Sequence, residues 1–442
     1  SKIKFVNHSS FLVETSKNIF LCDPWYEGSA FFNGWNLVSQ EINNSAIIKT
    51  LSEKKKNINI WYSHEHSDHF SVNFLKSYNL KDQTQFFYKK TSDKRVFNFI
   101  RKNFKIKEIE KGEKVVLDEK LNFKGFPYKN TDDSFCYLNL DGKHILNLND
   151  CVIKTKEDCD YISDLIKKKQ VDYIFVQFSY ATWRASKNER QKMATDKIQR
   201  LKLIFEYFKP TVLFPFASYI YFSHEENQDM NDSINTPSKV YNSNTLKEYK
   251  DKIVFLKPMD EIDLNTLNIN ELKILNLNAV KYWEEKYKLT NNQNLNKKKF
   301  SYDLNQLEEI FNKYIDNIKK NYLFLGYLLE SFGFIKPFTV KVSDLNKTFK
   351  LSYKNNLKVS DQYHDIECTS EVLFSMLKFE YGWDGVKISG RFNSSEGNSY
   401  LKINRFFFLQ SRMRNGQTLF NLTDLIKYLL YMFYRRFLMR SV

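Results

Sequence analysis

The stretch His64-Glu65-His66-Ser67-Asp68-His69 decides how this chain folds and where its chemistry lies. It follows a strand-like run over 57–62 (Asn-Ile-Asn-Ile-Trp-Tyr) and precedes a helix-like run over 71–78. Three of the seven histidines of the chain therefore fall within six positions, with a carboxylate among them. Imidazole and carboxylate groups are ligands for borderline divalent metals. The motif predicts a metal centre where a strand gives way to a helix.

Around this motif the chain alternates between strands and helices. Short strands over 3–6, 10–14 and 18–21 open the sequence. Helix-like segments such as 92–103, 156–168 and 189–208 then alternate with strand-like segments such as 85–88, 145–148, 173–176 and 211–216. This order predicts an α/β fold in which sheets are covered by helices.

The length of 442 residues predicts more than one domain. We expect a catalytic domain over 1–263, a linker or peripheral segment over 264–299, and an α+β domain over 300–442. The middle segment alternates Leu and Asn and carries polar runs, and the segments 338–353 and 386–404 look strand-rich. The chain ends in an amphipathic helix, which we expect to dock on its own domain, with contact to a membrane surface as the less favoured alternative.

Composition narrows the function classes further. The net charge is +16, but the lysines are scattered in short runs, which favours solvated side chains over a nucleic-acid-binding module; an anionic substrate is the alternative reading. The five cysteines include no C-x-x-C pair, so we expect free thiols and a cytoplasmic protein. No uncharged apolar run is long enough to cross a bilayer.

The H-x-H-x-D-H pattern of residues 64–69 resembles the hallmark of the metallo-β-lactamase fold superfamily. The resemblance implies an αββα fold, in which two sheets form a sandwich with helices outside, and a site for two divalent metal ions. The ligands it implies are His64, His66, Asp68, His69, a bridging Asp150 at a strand end, and His224. If the metal ions activate water for hydrolysis, Asp68 can act as a proton shuttle as well as a ligand.

One position departs from the superfamily pattern. The middle histidine of the pattern should lie in the segment Tyr128 to Ser134, which contains no histidine. Asp132 or Asp133 can supply an oxygen ligand in its place, or the site holds a single ion.

The start of the chain resembles a branch of the superfamily that includes ascorbate-6-phosphate lactonases and N-acyl-phosphatidylethanolamine phospholipases. These chains also open with a strand, a histidine, further strands and Asp-Pro-Trp. The likeness implies that Asp23 orients a ligand imidazole from behind. It places His8 near the metal pocket as a catalytic residue that contacts substrate, with a structural turn histidine as the alternative.

Segments from about Phe5 to Asn231 resemble the catalytic part of the CMP-N-acetylneuraminate hydroxylases. Among them are Asp23-Pro24-Trp25 and the run 177–183 (Gln-Phe-Ser-Tyr-Ala-Thr-Trp). The likeness implies an oxygenase, with iron favoured, that acts on an anionic small molecule such as a nucleotide-linked or amino sugar. Loop residues expected near the substrate are Trp25, Trp35, Tyr180, Trp183 and Arg184, with ordinary loop packing as the alternative.

Those hydroxylases also carry a Rieske cluster held by C-x-H and C-x-x-H pairs. No cysteine of this chain is followed by histidine at either spacing, so we expect no Rieske cluster in it. An oxygenase reaction then needs a separate electron donor. The alternative is a zinc- or manganese-dependent hydrolase of a phosphoester, lactone or amide, in which the metal activates water.

Overall fold

The computed structural model describes residues 1–129, 131–180, 184–394, 399–419 and 421–437. Its first part, up to residue 299, contains fifteen strands among the described residues. They are β1 (Lys2–Asn7), β2 (Ser10–Glu14), β3 (Asn18–Cys22), β4 (Trp35–Leu37), β5 (Asn57–Tyr62), β6 (Thr84–Lys89), β7 (Ile106–Ile109), β8 (Lys114–Val116), β9 (Leu121–Pro127), β10 (Ser134–Leu140), β11 (Lys143–Asn149), β12 (Tyr173–Gln177), β13 (Val212–Phe216), β14 (Ile220–Phe222) and β15 (Glu261–Asp263).

Helices alternate with these strands, as the sequence predicts. They are α1 (Asn44–Glu53), α2 (Val72–Ser77), α3 (Arg95–Arg101), α4 (Lys156–Ile166), α5 (Lys187–Phe208), α6 (Pro237–Tyr241) and α7 (Ile269–Thr290).

Two large sheets form the body of this part. The first has the order β15-β1-β2-β3-β5-β6-β7, and the second has the order β13-β12-β11-β10-β9-β8. Strands β3, β5, β6 and β7 run parallel to one another, as do β11, β12 and β13. Parallel strands need crossover connections, which the intervening helices supply.

The two sheets pack face to face through aromatic rings. Phe11 of β2 stacks on Phe175 of β12 with ring centroids 4.0 Å apart, and Phe20 of β3 lies 4.7 Å from Phe123 of β9. Helices α1, α2 and α3 share a core with the outer face of the first sheet, whereas α4 and α5 contribute to the core of the second. The predicted αββα sandwich is therefore confirmed.

Residues 264–299, for which the sequence predicts a linker or a peripheral segment, contain helix α7. Its Leu272, Ala279 and Trp283 are buried in the core shared by the two sheets. The apolar residues recur at helical spacing, so α7 presents one face to the sandwich although the segment reads as polar.

The remainder of the chain has its own core and a sheet of order β18-β17-β16-β19-β20. Its elements are α8 (Leu304–Tyr322), α9 (Leu325–Ser331), β16 (Phe338–Val342), β17 (Lys347–Ser352), β18 (Asn356–Val359), β19 (Ile366–Cys368), α10 (Ser370–Lys378), α11 (Gly382–Ser389), β20 (Asn393–Ser394), α12 (Ser399–Phe406), α13 (Phe408–Arg414) and α14 (Leu422–Phe437). The strand-rich prediction holds for 338–353 but is wrong for most of 386–404, which is largely helical where it is described.

The last helix, α14, packs on this second core through the buried Leu425, while Leu422, Ile426 and Leu430 are exposed. Among the described residues, no helix combines the length and the apolar character that crossing a membrane requires.

Candidate metal centre

The candidate site lies at the edge of the sandwich where several strands end. Asp23 directly follows β3, Ser63 and His64 follow β5, and Asp150 follows β11. Strands β3 and β5 are parallel neighbours, so their carboxyl ends meet at one edge of the first sheet, where ligands commonly bind, and β11 of the second sheet brings Asp150 to the same place from across the sandwich. The fold therefore brings together groups that are far apart in sequence.

His69 is the centre of this arrangement. Its ring is fully buried, and its Nε2 lies 3.5 Å from Asp68 Oδ2 and 3.3 Å from Asp150 Oδ2. His8, at the end of β1, approaches from the other side, with its Nε2 3.3 Å from Asp68 Oδ2. The structure thus brings together the two predicted aspartates and two of the predicted histidines.

Asp23 holds this arrangement from behind. Its carboxylate accepts hydrogen bonds from Ser63 N (2.7 Å), Ser63 Oγ (2.6 Å) and Asn149 Nδ2 (2.7 Å), and lies 3.0 Å from His69 Nδ1. An acceptor at Nδ1 keeps the proton on that nitrogen and leaves Nε2 free to bind a cation. The sequence likeness assigns Asp23 the role of orienting a ligand imidazole, and that role stays a prediction.

Two sets of side chains have ligand atoms within 4.8 Å of one another. One is His8, Asp68 and His69, and the other is His64, His69 and Asp150. Each set contains two imidazoles and one carboxylate. The likeness predicts a substrate contact for His8, whereas the structure places it among the candidate ligands. Its position directly after a strand of the same sheet is the sequence signal for this placement.

Unpartnered polar atoms test whether a cation fits here. His69 Nε2, Asp68 Oδ1 and Asp150 Oδ1 are buried and have no hydrogen-bond partner among the described residues. Buried polar groups normally have partners, because leaving them unpaired is costly. A divalent ion among these atoms satisfies them, so the residues fit a metal.

The two sets share His69 Nε2, which has one lone pair. His69 Nε2 can therefore bind only one ion, so the two sets cannot each hold an ion at the same time. The geometry supports a single metal position beside this nitrogen. A second ion has to take its ligands from His64, His66 and neighbouring groups.

His66 has another set of contacts. Its Nδ1 lies 3.0 Å from His64 Nε2, a spacing that suits two ligands of one ion, while its Nε2 lies 3.5 Å from Asp384 Oδ2. Asp384 belongs to α11 of the C-terminal part. The segment Gly382-Trp383-Asp384 carries a fainter part of the hydroxylase likeness, but the sequence predicts no role for Asp384 at the site. The C-terminal part therefore reaches the edge of the site.

The two predicted substitute ligands differ in their surroundings. Asp133 Oδ1 lies 3.9 Å from His64 Nε2, so this carboxylate stands beside the motif. Asp132 instead pairs with Arg414 of α13. Of the two, only Asp133 is placed where it can serve an ion at His64.

His224 joins neither set of ligands. It is fully buried, and its Nδ1 accepts a hydrogen bond from Glu226 N (3.2 Å) and lies 3.4 Å from Glu226 Oε2. Asn296 pairs with it in an isolated β-bridge. Glu226 in turn pairs with Arg391 of the C-terminal part, so the turn after β14 places His224 beside that contact, a tertiary effect that motif spacing does not encode.

The predicted substrate residues are mostly packed or paired. Trp25, Trp35 and Tyr180 are buried in one apolar cluster, and Tyr180 donates a hydrogen bond to Met230 O. Arg184 pairs with Asp229 at 2.8 Å, so its charge is already balanced. Trp183 lies outside the described residues.

The charges around the site act on its titrating groups. Burial lowers the pKa of His69, but the charges of Asp68 and Asp150 raise it well above its usual range. Burial raises the pKa of Asp68, yet His69 and His8 bring it down to about 2. Burial and the rings of His69 and His66 hold the pKa of His64 well below its usual range. The carboxylates thus favour a positive charge at His69 Nε2, whether proton or metal ion.

The comparisons with known proteins concern the fold. No family model matches this chain, and no curated protein matches it. Solved structures with a similar fold include CmlA, a diiron β-hydroxylase from Streptomyces venezuelae (12% identity, TM-score 0.41, 60% of this chain and 54% of that one). The chain spans about half the length of that protein.

Two shorter proteins also match. An isothiocyanate hydrolase from Delia radicum gut bacteria shows 10% identity and a TM-score of 0.42 over 60% of this chain and 99% of that one. The metallo-β-lactamase fold protein YhfI from Bacillus subtilis shows 11% identity and a TM-score of 0.38 over 59% and 99%. Likenesses of this size do not extend to activity or substrate.

Proposed function

We propose that this protein is a metal-dependent oxygenase that hydroxylates or oxidises a small molecule, with iron as the favoured metal. The observation that carries the proposal is the composition of the two ligand sets, each with two histidines and one aspartate around His69 Nε2. Two histidines and one carboxylate with open positions are typical of non-haem iron oxygenases. The motif likeness to the CMP-N-acetylneuraminate hydroxylases supports the same class.

The residues divide the work in this proposal. His64, His69 and Asp150 would hold the ion, with His8 and Asp68 beside them, and the ion would supply redox chemistry at its open positions. Dioxygen provides one oxygen atom to a C–H bond of the substrate and the other to water, with two electrons and two protons from a separate redox protein or reducing co-substrate. Asp68 is a candidate to move a proton as well.

A buried lysine supports the predicted anionic substrate. Tyr62 of β5 pairs with Tyr88 of β6, so Lys89 lies level with Ser63, directly before His64. Lys89 is 6% exposed, and its Nζ has no hydrogen-bond partner among the described residues. A buried unpaired ammonium is costly, and a carboxylate or phosphate of the substrate would offset that cost.

The test is metal content followed by reaction with nitric oxide, an analogue of dioxygen. Protein purified without added metal from medium containing both iron and zinc should retain iron. The reduced iron protein should then give the electron paramagnetic resonance signal of a high-spin ferrous nitrosyl complex, which requires an open coordination position. Oxygen uptake with ascorbate as the reductant is the second readout.

Matched variants make the test specific. Asp150→Asn should lower metal retention about tenfold or more, whereas Asp251→Asn, which changes an exposed carboxylate paired with Lys273, should leave it unchanged. Zinc alone, with no nitrosyl signal, would contradict the oxygenase and favour the hydrolase. Protein that retains no metal would contradict both.

A further inference from the structure

A cavity of about 310 Å³ opens beside the metal motif, between the two parts of the chain. Glu65 and His66 of the motif line one side, and α3 lines another with Arg95 and Phe99. Helices α11 and α13 of the C-terminal part close it with Asp384 and Arg414 among their residues. The volume lies in the range of small-molecule sites.

Most of the wall is aromatic or aliphatic. Phe32 stacks on Tyr381 with centroids 5.7 Å apart, and Phe70 meets Phe99 edge to face at 5.8 Å. Phe31 contacts the ring of His66 at 5.6 Å, so the apolar wall reaches the motif itself. An aromatic ring of a ligand can pack against these faces at favourable geometry.

The loop that carries two of these rings has an unusual backbone. Phe31, Phe32 and Asn33 have φ values of 49°, 52° and 66°, in the left-handed region that side chains disfavour. Ser67 Oγ accepts a hydrogen bond from Phe31 N, and Arg391 donates one to Phe32 O. Tertiary contacts thus hold the rings in the cavity at a local conformational cost.

Most of the charged groups that line the cavity have partners within the described part of the protein, but one carboxylate oxygen does not. Arg95 is bound to Asp93, and the Asp384 carboxylate is shared by Arg414 and Lys387. Glu65 Oε1, in contrast, is buried and has no hydrogen-bond partner among the described residues. An unpaired carboxylate oxygen beside apolar walls calls for a donor from the ligand.

We propose that this cavity binds the body of the substrate, and that the body is an aromatic ring carrying an amine whose N–H groups donate to Glu65. The inference rests on the proposed function in taking the adjacent metal centre as the place of reaction. An aromatic ring fills the apolar part of the cavity, and its amine donates to Glu65 Oε1, the oxygen that has no hydrogen-bond partner among the described residues. The cavity thus selects for an aromatic amine, and this amine is a group of the substrate distinct from the anionic group that would pair with Lys89, which does not line the cavity.

Binding to metal-free protein tests this inference apart from the proposed function. The probes are para-fluorophenethylamine and para-fluorophenylpropionate, which share the ring and differ in charge, each titrated against chelator-treated full-length protein by fluorine nuclear magnetic resonance. The amine should bind about tenfold more tightly than the acid, the size expected for a charge-assisted hydrogen bond. Because the protein is metal-free, the outcome of this assay does not depend on which metal the protein retains, or on whether the proposed oxygenase function is correct.

Three substitutions identify the site. Glu65→Gln should remove the preference for the amine, since a neutral amide no longer attracts the ammonium. Val72→Trp should block both probes by filling the cavity, while the matched Val116→Trp, at a position 63% exposed and outside it, should change nothing. Tyr381→Ala, at a residue 44% exposed, should weaken both probes and keeps the test valid if Val72→Trp does not fold.

Tighter binding of the amine that disappears in Glu65→Gln and falls in Tyr381→Ala supports the inference. Equal or tighter binding of the acid overturns it. Unchanged amine preference in Glu65→Gln, or full binding in folded Val72→Trp, also overturns it.

Discussion

At the scale of single residues, Asp23 shows how one buried carboxylate organises the candidate centre. Its carboxylate accepts hydrogen bonds from Ser63 and Asn149 and lies 3.0 Å from His69 Nδ1. The Asp23 side chain is fully buried. Its φ of 36° is in the left-handed region, so the sandwich holds it in a disfavoured conformation. The residue acts on the metal only through the groups that it positions.

We therefore expect Asp23→Asn to weaken metal binding about 10- to 100-fold. The amide replaces one accepting oxygen by a donor, which opposes the donors of Ser63, Asn149 and His69. Metal affinity measured by competition with a chromophoric chelator checks this. Asp164→Asn, at an exposed position of α4, is the control; unchanged affinity in a folded Asp23→Asn protein would contradict the role.

Lys197 of α5 gives a pH-dependent prediction away from the ligands. Its Nζ donates to Gln177 Oε1, and Gln177 donates in turn to Asp150 O. Burial, together with the charge of Arg200, lowers the pKa of Lys197 to about 7, although Asp150 and Asp133 oppose this and Lys154 adds to it. The unfolded chain therefore binds more protons than the folded one between pH 7 and about 10.

It follows that Lys197 contributes a rise in the free energy of unfolding as the pH increases through this window. Lys197→Met should remove that rise, which amounts to about 4 kcal/mol. Urea unfolding of metal-free protein at several pH values measures it as a difference between wild type and variant. Lys202→Met, at a half-buried position of the same helix whose side chain is 38% exposed, should keep the wild-type slope. Loss of the slope in this variant as well would assign the slope to the helix in general.

At the scale of elements, α7 shows where a sequence pattern misleads. The Leu-Asn alternation over 264–299 suggests a peripheral segment, yet Trp283 of α7 is fully buried, stacks on Tyr219 at 4.0 Å and donates to Leu256 O at 2.8 Å. Residues 386–404 are a second case: the sequence predicts strands there, but the described part is largely helical. Short runs of apolar residues fit a strand or a helix equally well. In both cases packing decided the element.

Trp283→Ala should accordingly lower the free energy of unfolding by about 3–5 kcal/mol, since it empties a packed aromatic site. The matched change Leu277→Ala, on the same helix at a position 53% exposed, should cost about 0.5 kcal/mol or less. Urea unfolding followed by circular dichroism distinguishes the two. If both variants lowered the free energy of unfolding by the same small amount, α7 would not be part of the core shared by the two sheets.

At the scale of the whole molecule, a buried ion cluster joins the two parts of the chain. Arg391 is 2% exposed and donates to Glu226 Oε2 and Glu371 Oε2, each at 2.7 Å. Glu371 Oε1 also accepts from Lys299 N and Phe300 N in the connection between the parts. One guanidinium therefore balances both carboxylates and indirectly fixes the connecting segment.

Arg391→Met should leave two buried carboxylates unbalanced and destabilise the protein by about 3–5 kcal/mol. The connecting segment should loosen, so trypsin should cut faster at the lysines over 297–299. The control is Lys313→Met, which removes an exposed ion pair with Glu309 and should have an effect of about 1 kcal/mol or less. An unchanged cleavage rate in the Arg391 variant would show that the contact does not depend on this cluster.

The alternating patterns of the sequence predict sheets covered by helices, and the likeness carried by the six-residue motif predicts the αββα sandwich and the position of the candidate centre. Asp23 and the motif follow β3 and β5, which are parallel neighbours whose carboxyl ends meet at one edge of the first sheet, whereas Asp150 follows β11 of the second sheet. Alternating patterns of strand and helix depend on residues that are close together in the sequence, so the sequence alone predicts them.

Only the tertiary structure decided which side chains lie near His69 Nε2 and which form contacts with other residues instead. His8 joins the ligand groups, while His224 is drawn toward Glu226 and Asp132 toward Arg414. Asp384 and Arg391 come from a part of the chain more than 300 residues away from the motif, and the cavity beside His66 is lined both by residues near the motif and by this distant part. Such contacts depend on how two separately formed cores pack, and no spacing along the chain records that.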